Sequence, residues 1–144
     1  MHQQLPRWEH FSHGADIGVR GVGFSRNEAF EQIALALSAV QTKLELIALT
    51  SEILVTGALV APDDELLLFS WLNAIIYQTA ITGMIFGRYT CETRADGLWG
   101  WAIGEPIDDS RHDIACEVKG ATLTAIKAIK LGDGTFLAQC VVDV

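Results

Sequence analysis

Ser25-Arg26-Asn27-Glu28-Ala29-Phe30-Glu31-Gln32-Ile33-Ala34-Leu35-Ala36-Leu37-Ser38-Ala39-Val40 is the stretch on which the fold reading turns. It opens with Ser-x-x-Glu, the capping-box pattern whose two side chains satisfy free N–H groups at a helix start. Phe30, Ile33, Ala34, Leu37 and Val40 then recur at helical spacing, so one face turns inward. Glu28, Glu31 and Gln32 occupy the first turns, where acidic groups suit the helix dipole. A second start, Pro62-Asp63-Asp64-Glu65, supplies an Asp cap and another acidic first turn. The helix it opens runs through Trp71, Leu72, Ile75, Ile76 and Tyr77, with Gly83 as its stop.

Outward from these helices the chain reads as β. Trp8 to Phe11 and Ala15 to Val22 form two short strands about His13-Gly14, and Leu44 to Val60 gives one or two more, with Gly57 as a bend. Further strands are expected over 84–94, 98–104, 113–119, 122–130 and 135–143. Ala95-Asp96-Gly97 and Gly132-Asp133-Gly134 are hairpin signals. The order β-β-α-β-α followed by strands predicts an α+β protein, with two amphipathic helices packed on a largely antiparallel β-sheet. At 144 residues, half of them hydrophobic, one domain over 1–144 is expected.

The formal charge is −8, from 18 Asp and Glu against 10 scattered Lys and Arg, which argues against a surface that tracks phosphates. Cys91, Cys116 and Cys140 are too far apart for a C-x-x-C pair, and their odd number suits a reducing cytoplasm. Met1-His2-Gln3-Gln4-Leu5-Pro6-Arg7 has neither the cationic start nor the apolar core of a secretory signal. Leu66 to Phe86 carries no charge, yet Ser70, Asn73, Gln78, Thr79 and Thr82 interrupt it, so it reads as a core helix rather than a membrane span. No P-loop, G-x-G-x-x-G or G-x-S-x-G occurs, which disfavours autonomous nucleotide hydrolysis or nucleophilic catalysis.

The two ends hold the candidate site. Asp16 lies between apolar neighbours in His13-Gly14-Ala15-Asp16-Ile17-Gly18, and Asp143 ends the apolar run from Phe136. A half-buried carboxylate is costly unless paired, hydrogen-bonded or bound to a cation. If the ends lie side by side, Asp16, Asp143 and the Val144 carboxylate form an oxygen cluster that favours a divalent cation. An all-oxygen set suits Ca2+ or Mg2+ rather than zinc. The plain alternative is that each Asp accepts hydrogen bonds at a turn or strand end.

Four stretches in register resemble the archease family. They are His13-Gly14-Ala15-Asp16-Ile17-Gly18, similar to H-T-A-D-I-G; Asn27-Glu28-Ala29-Phe30; Glu65 to Asn73, similar to E-x-L-L-x-x-W-L-N/E; and Gly104-Glu105 through Arg111-His112 and Glu117-Val118-Lys119 to Val142-Asp143-Val144. The resemblance implies a role rather than a reaction. Archeases are accessory proteins of the RNA-splicing ligase, helping it become guanylylated and so turn over repeatedly in tRNA splicing or RNA repair. It implies metal binding by Asp16, Asp143 and Val144, and places an activation lysine at Lys119. Where the family carries K-A-x-T-Y-H, this chain reads Lys119-Gly120-Ala121-Thr122-Leu123-Thr124, without the tyrosine and the histidine.

His13, three residues before Asp16, is the histidine nearest the cluster and a candidate partner contact, though it and His112 also read as turn or edge residues. Asp108-Asp109 and Arg111-His112-Asp113 read as a solvated turn or a partner-facing loop, and the four tryptophans as packing residues. Trp99 and Trp101, two apart on a strand, place both rings on one side. RNA is expected to meet the protein only through the ligase. Two competing readings are a chaperone-like module for another, basic partner and a small metal-dependent hydrolase.

Overall fold

The computed structural model describes residues 4–144, so Met1-His2-Gln3 of the amino-terminal stretch lie outside the described residues. Both helices start where their caps put them. In α1 (Arg26–Gln41) the Ser25 hydroxyl accepts the Glu28 N–H at 3.1 Å, and Glu28 reaches back to the Phe24 N–H at 2.8 Å. In α2 (Asp64–Thr82) the Asp63 carboxylate accepts the Leu66 N–H at 2.8 Å. Gly83 ends α2 in the left-handed region at φ 68°, where a side chain is strained.

The remaining elements are β1 (Arg7–His13), β2 (Asp16–Gly23), β3 (Ser51–Leu59), β4 (Met84–Arg94), β5 (Gly97–Pro106), the short α3 (Asp109–His112), β6 (Gly120–Ala121), β7 (Lys127–Lys130) and β8 (Phe136–Asp143). The α+β architecture is the expected one, and every strand pair is antiparallel. The strands divide between two sheets. Five form β1-β2-β8-β6, with β7 also on β8, and three form β3-β5-β4. The turn at Ala95-Asp96 joins β4 to β5, and Gly132-Asp133-Gly134 lies between β7 and β8.

The helices fill the space against the sheets. Phe30, Ile33 and Leu37 of α1 and Leu68, Trp71, Leu72 and Ile75 of α2 are buried in one core. Trp71 donates its indole N–H to the Phe30 carbonyl at 3.0 Å, fixing α2 to α1. A Cβ at Gly21 would overlap the α1 backbone at Ile33 and Ala29, so glycine lets α1 lie directly on β2. Among the described residues no helix is long and apolar enough to cross a membrane. Cys91, Cys116 and Cys140 are free thiols.

Three expected strands are shorter or absent. Leu44–Leu46 is a 3-10 turn, and β3 begins only at Ser51. Residues 113–119 form no strand. Asp113 takes φ 52°, and the Ala115 N–H goes to the Gln41 carbonyl rather than to a sheet. Of 122–130 only β7 is a strand, because Ala125, at φ 53°, breaks the extended run. Trp99 and Trp101 do share a face, with ring centroids 6.2 Å apart and the Arg94 guanidinium 4.5 and 5.2 Å from them.

Candidate functional site

Strand register brings the two chain ends together. The β1–β2 hairpin pairs His13 with Asp16. β2 pairs Ile17 with Val142, so the next step of that register sets Asp16 opposite Asp143. β6 pairs Gly120 with Asp143, and the Lys119 N–H donates to the Asp143 carbonyl at 2.8 Å. Directly opposed residues in antiparallel strands share a face. His13, Asp16 and Asp143 thus line one end of the five-stranded sheet, all exposed, with the exposed Lys119 beside them. Val144 packs against the core.

Among the described residues neither carboxylate has a side-chain partner. Along the same strand Arg20 is already committed, to Glu9 at 3.0 Å, to Gln139 at 2.9 Å and over the Phe11 ring at 4.6 Å. Among the described residues no ion pair reaches Asp16 or Asp143. Nor do three His, Cys, Asp or Glu side chains gather into a metal-holding group. The set expected from the sequence is a different one, two carboxylates and the carboxyl group of Val144. Two opposed, unpartnered carboxylates fit a hard, oxygen-seeking cation whose remaining ligands are water.

The stretch that departs from K-A-x-T-Y-H lies next to this edge. Thr122 donates both its N–H (3.0 Å) and its hydroxyl (2.8 Å) to the Val141 carbonyl, and its hydroxyl accepts the Thr124 N–H at 3.1 Å. Leu123 projects outward, 55% exposed. The sequence reading missed Asn73, whose side-chain oxygen accepts the Ala121 N–H at 3.0 Å. An amide on a helix thereby replaces the strand that β6 lacks on its outer side.

The sequence also placed His112 at a turn or edge, and the structure corrects this: His112 is fully buried. Its Nδ1 accepts the Asp108 N–H at 2.9 Å, so the ring proton sits on Nε2 and is donated to Glu105 at 2.8 Å. The Glu105 carboxylate also accepts the Ala48 N–H at 2.6 Å and both terminal nitrogens of Arg111. Arg111, the Ala48 N–H and His112 together pull the Glu105 carboxyl down to about 2. The Thr42 hydroxyl donates to the His112 carbonyl and ties this clamp to the end of α1. No spacing rule would have found it, since residues 42–48 and 105–112, far apart in the chain, must meet to build it.

A two-sheet α+β fold with an unpaired acidic edge defines a class of small protein, and comparison gives that class its family. The Archease protein family model matches residues 8–144, so the chain belongs to the archease family. Protein archease of Pyrococcus furiosus is 39% identical over 144 residues, covering 97% of this chain and 100% of that relative. Protein archease of Sulfolobus acidocaldarius is 31% identical, again covering 97% and 100%. The solution structure of Methanobacterium thermoautotrophicum protein 1598 superposes with a TM-score of 0.71 at 27% identity, covering 95% of this chain and 98% of that one.

Proposed function

We propose that this chain is a non-catalytic activator of an RNA-splicing ligase, promoting guanylylation and multiple turnover of that enzyme in the cytoplasm. The observation that carries the reading is the register that opposes Asp16 and Asp143, both exposed and without a counter-ion among the described residues, beside Lys119. Family membership supplies the class of partner.

The edge has the parts for presenting charge to another protein's active site. Asp16, Asp143 and the Val144 carboxyl group would hold a divalent cation, Ca2+ or Mg2+, which supplies a positive centre for phosphate oxygens. Lys119, held by its own N–H on the Asp143 carbonyl, adds a cation just before β6. His13 completes the line as a contact for the ligase. The Thr-braced turn at 122–124 offers Leu123 and Thr124 where the family pattern offers a tyrosine and a histidine, so the contact made there has no imidazole to move a proton.

The test is multiple-turnover RNA ligation by the cognate ligase, with GTP and a divalent ion, in the presence and absence of this protein. Turnover beyond one equivalent only when the protein is added is the expected result. Asp16→Asn and Asp143→Asn are each expected to lower activated turnover by about 10- to 100-fold, the usual cost of disturbing a metal site. Full activation by both variants would sink the mechanism. Single turnover throughout, with recovery of a different basic partner, would favour the chaperone-like module.

A further inference from the structure

Most buried polar side chains of this protein are internally bonded. Ser38 meets Tyr89, Thr42 the His112 carbonyl, Glu105 and His112 each other, Thr135 Asp133, and Gln139 Arg20. Gln41 differs. It is only 8% exposed, and its main-chain carbonyl accepts the Ala115 N–H, but its side-chain amide has no partner among the described residues. A buried amide left unbonded is costly, so its surroundings matter. Its polar atoms are not sealed off: among the described residues the unpaired, fully enclosed side-chain atom is Arg7 Nε. Gln41 is one of the residues that line a cavity of about 400 Å3.

The cavity walls are aliphatic: Leu37, Ile75, Ile76, Ile107, Ile114 and Val118. Its rim carries Asp109, Glu117 and Lys119. α1 ends at Gln41, and Thr79 and Ala80 belong to the last turns of α2, so the carboxyl-terminal turns of two helices flank the cavity and add their partial negative charge nearby. Two carboxylates and two helix ends outweigh one lysine. In a chain of net charge −8 this disfavours a phosphate or carboxylate guest and favours a cationic one.

We infer that this cavity is a docking site for a basic protein segment, taking one aliphatic side chain between α2 and residues 114–118 while the Gln41 amide hydrogen-bonds the segment's main chain. Lys119 belongs both to this rim and to the acidic edge, so one partner spans the two. That this partner is the ligase rests on the function proposed above.

The test uses the full chain, isotope-labelled, titrated with the capped peptide acetyl-Arg-Ile-Arg-amide and followed by NMR. The basic peptide is expected to shift the Gln41 side-chain NH2 and the amides of Ile75 and Ile114. Acetyl-Glu-Ile-Glu-amide is expected to bind about tenfold more weakly. Gln41→Leu should weaken the basic peptide about fivefold while keeping the fold, and Ala80→Trp, which fills the cavity, should abolish the shifts. Absence of shifts, equal binding of the two peptides, or displacement of the same resonances by adenosine monophosphate would overturn the inference. In ligation assays Gln41→Leu should raise the concentration needed for half-maximal activation without changing the maximum. An unchanged requirement, with peptide binding intact, removes the ligase as the occupant. Failure of the wild-type protein to activate overturns the proposed function, while the peptide titration still decides the cavity.

Discussion

Glu105 lies near the end of β5 and Asp143 at the end of β8, and their carboxylates meet opposite surroundings. Glu105 accepts hydrogen bonds from Ala48, Arg111 and His112 and is almost wholly covered. Asp143 is exposed and opposes another acid, and among the described residues no basic side chain is bonded to either. A carboxylate saturated from within has nothing left to give a ligand, whereas one left open at a strand end repels its neighbour until a cation or a partner arrives. The contrast separates acids that build this protein from acids that serve it.

The hardest blow to that contrast is Glu105→Ala. It strands Arg111, His112 and the Ala48 N–H together, and the largest fall in unfolding midpoint is expected there, measured by thermal denaturation; an unchanged midpoint would erase the distinction. Acid offers a gentler version. The Glu105 carboxyl is lowered from 4.5 to about 2, so its contribution is complete above pH 4.5 and is lost as pH falls towards 2. Stability of wild type minus that of Glu105→Gln should shrink over that interval and stay flat above it, as read by chemical denaturation at a series of pH values. Asn73→Ala frees the Ala121 N–H on the outer side of β6, at an expected cost of about 1 kcal/mol in urea unfolding. Smallest of all should be Asp16→Asn and Asp143→Asn, whose unfolding free energies should stay within about 0.5 kcal/mol of wild type or rise as repulsion is relieved. A large loss in these two would mean that the edge is structural after all.

The helices were legible in the sequence because each carries its own instructions: Ser25 and Asp63 as caps, Gly83 as a stop, and an apolar face between. The pairing of Asp16 with Asp143 was legible in part, as two carboxylates in strand-like settings, but only register places one opposite the other. Residues 113–119 misled the strand reading because alternating apolar residues say nothing about where the N–H groups go, and here they go to α1 and to Asp143 rather than to a sheet. His112 and Gln41 were invisible for a related reason. Burial of a polar side chain depends on segments far away in the chain, and no local pattern announces it.

The route of residues 113–119 has a kinetic meaning. Between the His112 anchor and β6 the strap is fastened through Ala115 to the Gln41 carbonyl and through Lys119 to the Asp143 carbonyl, with no ladder beneath it. Such a segment would lift without melting either sheet, but only by drawing Val118 out of the core and releasing the Cys116 thiol from the Val40 carbonyl. Its opening would carry Lys119 away from the acidic edge and uncover the Gln41 amide in a single motion, so the affinity of one site and the openness of the other become linked quantities.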